Sequence, residues 1–162
     1  MSKFLVSDAN IVIDLEVGEL LEAFFQLPYQ FITPDILFEQ ELKIQHSHLL
    51  SLGLKLVELT ENSMLYAFNL KQEHNPTSLN DLFCLSLAKQ EQCPLLTGDR
   101  ALRKVAALET VQTNGTIWII EQLVLLQIID KQRALFSLEL MKNKGRRLPW
   151  EKAKEIINDI PD

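Results

Sequence analysis

Short apolar runs closed by turn residues alternate along this chain with longer stretches of helical periodicity. The runs at 4–7, 30–33, 54–59 and 94–97, with a fifth at 111–113, have the length of strands. Stretches at 10–26, 34–51, 61–74, 79–91 and 99–107 have the length and spacing of helices. Strand and helix in alternation predict an α/β fold around a mainly parallel sheet. Boundary residues agree with this division. Thr33 before Pro34 predicts a helix N-cap followed by the first helical position, and Asn75-Pro76 closes one helix before Ser78 caps the next. Beyond Gly115 the pattern turns wholly helical, at 117–128, 131–143 and 149–158. Helices this short are marginal alone, so this region is expected to be an appendage and not a second domain. Its Trp118, Ile119, Leu123, Leu126 and Phe136 require cover from the core or from a second copy, a homodimer.

At 162 residues and 47% hydrophobic content, the chain suits one domain with one substantial core. It has no apolar run of membrane-spanning length, and its first residues lack a basic segment followed by an apolar one. The expectation is a cytoplasmic protein with no membrane partner. Cys84 and Cys93 are the two cysteines, without CxxC spacing or a Cys/His grouping, so nothing here suggests thiolate-bound zinc. Cys84 falls in an apolar helical pattern and reads as a small buried thiol. The formal charge of −6 argues against a broad basic nucleic-acid surface. A nuclease whose site is itself built of carboxylates remains compatible with it, because bound cations restore local positive potential.

Four acidic positions share a setting. Asp8 ends the first strand, Glu39 sits early in the helix after the second, Asp81 opens a helix, and Asp99 follows the Leu95-Leu96-Thr97 strand. Each has an ordinary explanation singly: Asp8 and Asp99 as helix N-caps, Asp81 in a capping box with Ser78, Glu39 as a solvated helix residue. Together they acquire another meaning, because open α/β sheets gather ligands at the carboxyl ends of their strands. About four negative charges in one cleft would raise one another's pKa, and a divalent cation would relieve the repulsion. An all-oxygen ligand set suits Mg²⁺ and needs no histidine.

Ser7-Asp8-Ala9-Asn10-Ile11 after an apolar strand, Ile32-Thr33-Pro34 leading to Glu39, Asn80-Asp81-Leu82 through Leu87-Ala88-Lys89, and Leu96-Thr97-Gly98-Asp99 resemble the four acidic motifs of the PIN-domain family. The order and spacing agree across roughly residues 4–115. The resemblance implies a three-layer α/β/α fold, here as a single domain with a helical extension at about 116–158. It implies a metal-dependent ribonuclease, like the VapC-like toxins of toxin–antitoxin pairs, with RNA as substrate and an antitoxin protein as a candidate partner. By the same resemblance Asp8, Glu39, Asp81 and Asp99 are the catalytic and metal-holding residues for Mg²⁺ or Mn²⁺, and Asn10 supports the first aspartate. The implied chemistry is in-line attack by a metal-activated water on phosphorus. Many members carry a further acidic residue shortly after the fourth motif. Arg100, Arg103 and Lys104 stand there instead, which leaves one metal or two open. Glu41 lies about 200° around an α-helix from Glu39, so both cannot face one cleft; Glu39 fits the family spacing better.

Arg100, Arg103 and Lys104, together with Arg146 and Arg147 in the densest basic run, are candidates for RNA-backbone contact. His46 and His48, two residues apart, would diverge on a helix and read as a solvated helix end. Two other classes share some of these features. A haloacid-dehalogenase phosphatase needs a second Asp two positions after the first, where this chain has Asn10. A catalytically silent PIN domain serving as an RNA- or protein-binding module has the same sequence signals and differs only in activity.

Overall fold

A computed structural model describes residues 3–162. Five strands, β1 (Lys3–Ser7), β2 (Tyr29–Pro34), β3 (Lys55–Val57), β4 (Leu95–Leu96) and β5 (Thr113–Asn114), form one all-parallel sheet in the order β3-β2-β1-β4-β5. The chain winds outward from β1 through β2 to β3, then returns to the other side of β1 for β4 and β5. The topological switch therefore falls between β1 and β4, where an open parallel sheet leaves a crevice at its carboxyl edge.

The segment expected to be one helix at 10–26 is two, α1 (Ala9–Val17) and α2 (Leu21–Phe24). Glu19 adopts a φ of 59° between them, a left-handed turn no helix passes through unbroken. The 34–51 stretch is also divided. It comprises α3 (Asp35–Leu37), a π-helical turn (Phe38–Leu42), α4 (Lys43–His46) and α5 (Leu49–Leu52). Thr33 is not the N-cap expected there. It remains in β2, and its hydroxyl donates to the Ser7 carbonyl at 3.0 Å, tying the end of β2 to the end of β1.

Long helices follow: α6 (Glu61–Glu73), capped by Thr60, and α7 (Leu79–Glu91), capped by Ser78. Every residue from Leu82 to Ala88 is buried, because α7 lies between the sheet and α6 and is covered on all sides. Helix α8 (Arg100–Leu108) leads to β5. The terminal helices α9 (Thr116–Leu125), α10 (Lys131–Asn143) and α11 (Trp150–Asn158) pack on one another, and α9 and α10 both rest on α1. Ile119, Ile120 and Leu123 of α9, Met141 of α10 and Ile157 of α11 are completely buried. Trp118 is half-buried against Tyr29, whereas Leu126 and Phe136 are exposed. No helix among the described residues is long and apolar enough to cross a membrane.

Candidate active site

Asp8 leaves β1 at the switch point and N-caps α1, one carboxylate oxygen accepting from the Ile11 amide at 3.0 Å. Asp99 does the same for α8, accepting from Leu102 at 2.8 Å. Both capping roles are therefore real, and each cap engages one carboxylate oxygen. Thr97 joins the two residues. Its hydroxyl oxygen accepts from the Asp99 amide at 3.1 Å and its side chain hydrogen-bonds the Asp8 carboxylate.

Asp81 comes from the first turn of α7, where its amide donates to the Ser78 hydroxyl at 3.1 Å. One helical turn on, the completely buried Cys84 lies on the same face, and the charges of Asp8, Asp81 and Glu41 all reach its thiol. Burial, reinforced by those charges, pushes that thiol far up, so it stays protonated.

The electrostatics of the aspartates define the site. Burial pushes Asp8, only 2% exposed, up to about 7; hydrogen bonds from Thr97 and Ile11 oppose the shift, and the charges of Asp81 and Asp14 add to it. Burial also raises Asp81, against its Ser78 hydrogen bond and with help from Asp99 and Glu41. The charge of Asp81 thus acts on Asp8, and the charges of Asp99 and Glu41 act on Asp81. Their chemistry, all oxygen and all of one sign, is the donor type that suits a hard divalent cation, which offsets the charge.

Glu39 is placed differently from its neighbours in the sequence reading. It is more than half exposed and pairs with Lys43 at 2.9 Å. Glu41 faces α7 instead: Asn80 Nδ2 donates to Glu41 Oε2 and to Gln40 Oε1, each at 3.0 Å. The two glutamates diverge across the π-helical turn, and of the two only Glu41 acts on Asp81.

A cleft of about 830 Å³ opens beside Asp99, bordered by Asn10, Arg103, Trp118, Arg147 and Lys152 among others. Arg103 is fixed at its rim. Its Nε donates to the Thr97 carbonyl at 2.9 Å, and its guanidinium lies so close over Gly115 that a Cβ there would meet Nη2 at 2.6 Å. Arg146 is committed internally, donating from Nε to Asp14 at 2.6 Å and from Nη2 to Asn10 at 3.1 Å. Arg100 and Lys104 lie exposed on α8.

Asp14 is a component the sequence reading did not single out. It is 7% exposed on α1, held by Arg146 and by the Thr116 hydroxyl at 2.8 Å. Its signal was present as a lone carboxylate within the apolar run Ile11-Val12-Ile13-Asp14-Leu15, where a buried charge demands partners.

A family model described as a PIN domain matches residues 4–161. The chain belongs to the PIN-domain family, whose fold is nuclease-like and whose members typically use divalent metals. Comparison with curated proteins and with solved structures found no match.

Proposed function

We propose that this protein is a ribonuclease that hydrolyses RNA phosphodiester bonds with Mg²⁺ or Mn²⁺ held by Asp8, Asp81 and Asp99, with Glu41 as the fourth carboxylate. The observation that carries the reading is the gathering of carboxylates at the switch point, where burial raises Asp8 and Asp81 and the charges of Asp81 on Asp8, and of Asp99 and Glu41 on Asp81, add to it. The cation, when bound, supplies a Lewis acid that makes water a better nucleophile and offsets charge on the phosphoryl oxygens. The chain's own work is positional. Thr97 and the two helix caps fix the rotamers of Asp8 and Asp99, and Asn80 orients Glu41.

Arg103 and Arg147 border the cleft and suit a phosphate backbone, while Trp118 offers a ring against which an unpaired base can stack. Arg100 and Lys104 extend the same basic edge. Arg146 serves the site indirectly by holding Asp14 and Asn10. A VapC-like toxin role, with an antitoxin as partner, accords with the family, and the exposed Leu125, Leu126 and Phe136 on the terminal helices supply apolar area for such a partner.

The test is purified protein on a mixed RNA pool with Mg²⁺, with Mn²⁺ and with chelator. Cleavage that requires the metal and is lost in Asp81→Asn supports the proposal. RNA retention without cleavage under every metal condition favours a silent binding module and overturns it.

A further inference from the structure

On the far end of α1 from Asp8, a second group of ligating side chains converges. Glu16 Oε2 lies 2.5 Å from His46 Nδ1, and Glu16 Oε1 lies 2.6 Å from His48 Nε2. Two residues apart on an unbroken helix, the two histidines would diverge. They do not, because α4 ends at His46 and the turn through Ser47 brings His48, ahead of α5, back toward the same carboxylate. One nitrogen of each ring and one oxygen of Glu16 all lie within 4.8 Å of one another.

We propose that Glu16, His46 and His48 form a second metal site, selective for Zn²⁺ or a similar divalent transition ion. Three considerations carry it. The donor set is two imidazoles and one carboxylate, which suits zinc, whereas Mg²⁺ prefers the all-oxygen cluster at the other end of α1. The two sites are separate: Asp8 and Glu16 are eight residues apart, about 12 Å along a helix. The geometry needs little change. Tetrahedral zinc with bonds of about 2.0–2.2 Å sets its ligand atoms about 3.4 Å apart, so one ring's contact with the coordinating oxygen would open by under about 1 Å, and the other ligand separations, already within 4.8 Å, would adjust by about 1.4 Å at most. To bind the ion each ring would present a lone pair on the nitrogen that faces Glu16 and carry its proton on the other ring nitrogen.

Three protein ligands leave a further position for water, so the ion would exchange with solvent and would not be a sealed structural centre. Its effect would be to fasten the end of α1 to the segment from α4 to α5. Within it α5 is anchored by the buried Leu49, whereas no residue of α4 is buried and Ile44 is 95% exposed.

The experiment is equilibrium dialysis of the full chain against Zn²⁺ with excess Mg²⁺ present, paired with Co²⁺ absorption spectra and melting curves. The wild-type protein is expected to retain one Zn²⁺ per chain, to give a tetrahedral Co²⁺ spectrum with nitrogen ligation, and to melt higher with Zn²⁺. His48→Gln, at a side chain 45% exposed, is expected to fold normally and to lose affinity by about 100-fold. Glu16→Gln should weaken binding in the same sense, while Asp81→Asn should leave Zn²⁺ retention unchanged. Equal Zn²⁺ affinity in wild type and His48→Gln, or loss of Zn²⁺ in Asp81→Asn instead, would overturn the proposal.

Discussion

Arg146 reaches across 132 positions of the chain to donate to the buried carboxylate of Asp14 at 2.6 Å. The contact joins the turn between α10 and α11 to the middle of α1, three residues before the helix ends. It also closes one wall of the cleft beside Asp99. Arg146→Ala would leave Asp14 with only the Thr116 hydroxyl, an uncompensated charge in a dry position. The expected cost is about 2–4 kcal/mol, smaller than for a fully buried pair because the arginine is partly solvated. In a double-mutant cycle, urea titrations should show Arg146→Ala/Asp14→Asn recovering part of that loss; strictly additive losses would mean that the pair is not coupled.

The metal-free protein should lose stability as pH rises through neutrality. Burial lifts Asp8 to about 7 from 3.8, so between those values the folded chain holds a proton that the unfolded chain has released. That contribution is full below about pH 4 and is gone above the folded value, and the raised Asp81 acts in the same direction. In chelator, Asp8 alone should lower stability by about 2–3 kcal/mol between pH 5 and pH 8. Asp8→Asn, which can keep the cap to Ile11, should flatten the slope. Melting curves of both proteins across this range decide it, and a wild-type slope of opposite sign would show that burial does not hold Asp8 protonated.

Asp81→Asn keeps the side chain's shape and removes one repelling charge. In chelator the variant should be as stable as the wild type or more so, while metal-dependent RNA cleavage falls by on the order of a hundredfold or more. Because the α7 cap is the Ser78 hydroxyl, Asp81→Ala should leave the helix start intact. Melts beside a cleavage assay separate charge relief from simple damage: a variant that is less stable and equally active would reverse both expectations.

Glu39 and Glu41 offer an internal control. Glu41→Gln should reduce cleavage by about 10-fold or more, whereas Glu39→Gln, which loses a solvent-exposed pair with Lys43, should change stability by about 0.5 kcal/mol or less and cleavage not at all. Parallel cleavage rates for the two variants decide which glutamate serves the site.

Removal of the chain after Gly115 should yield an aggregating protein. The terminal helices bury Ile119, Ile120, Leu123, Met141 and Ile157, and their loss uncovers the α1 and α2 surfaces against which they pack. Size-exclusion chromatography of the truncated protein tests this; a stable monomer would show that the core is self-sufficient.

What the sequence determined by itself is everything carried by local pattern. The five strands, the α6, α7 and α8 helices and the positions of Asp8, Asp81 and Asp99 at element ends were readable because hydrophobic periodicity and capping act over a few residues. The tertiary structure alone decided what depends on direction and on distant partners. The break at Ser47 is a backbone turn that no propensity marks, whereas the one at Glu19 follows Gly18, whose helix-ending signal is local. Glu41, and not Glu39, turns toward Asn80 and Asp81 of α7, a direction that the π-helical turn sets and that local sequence does not mark. Asp14 with Arg146, and Glu16 with His46 and His48, unite residues far apart in the chain. Charges and ligating atoms act through space, so their meaning is fixed only when the fold has set the distances.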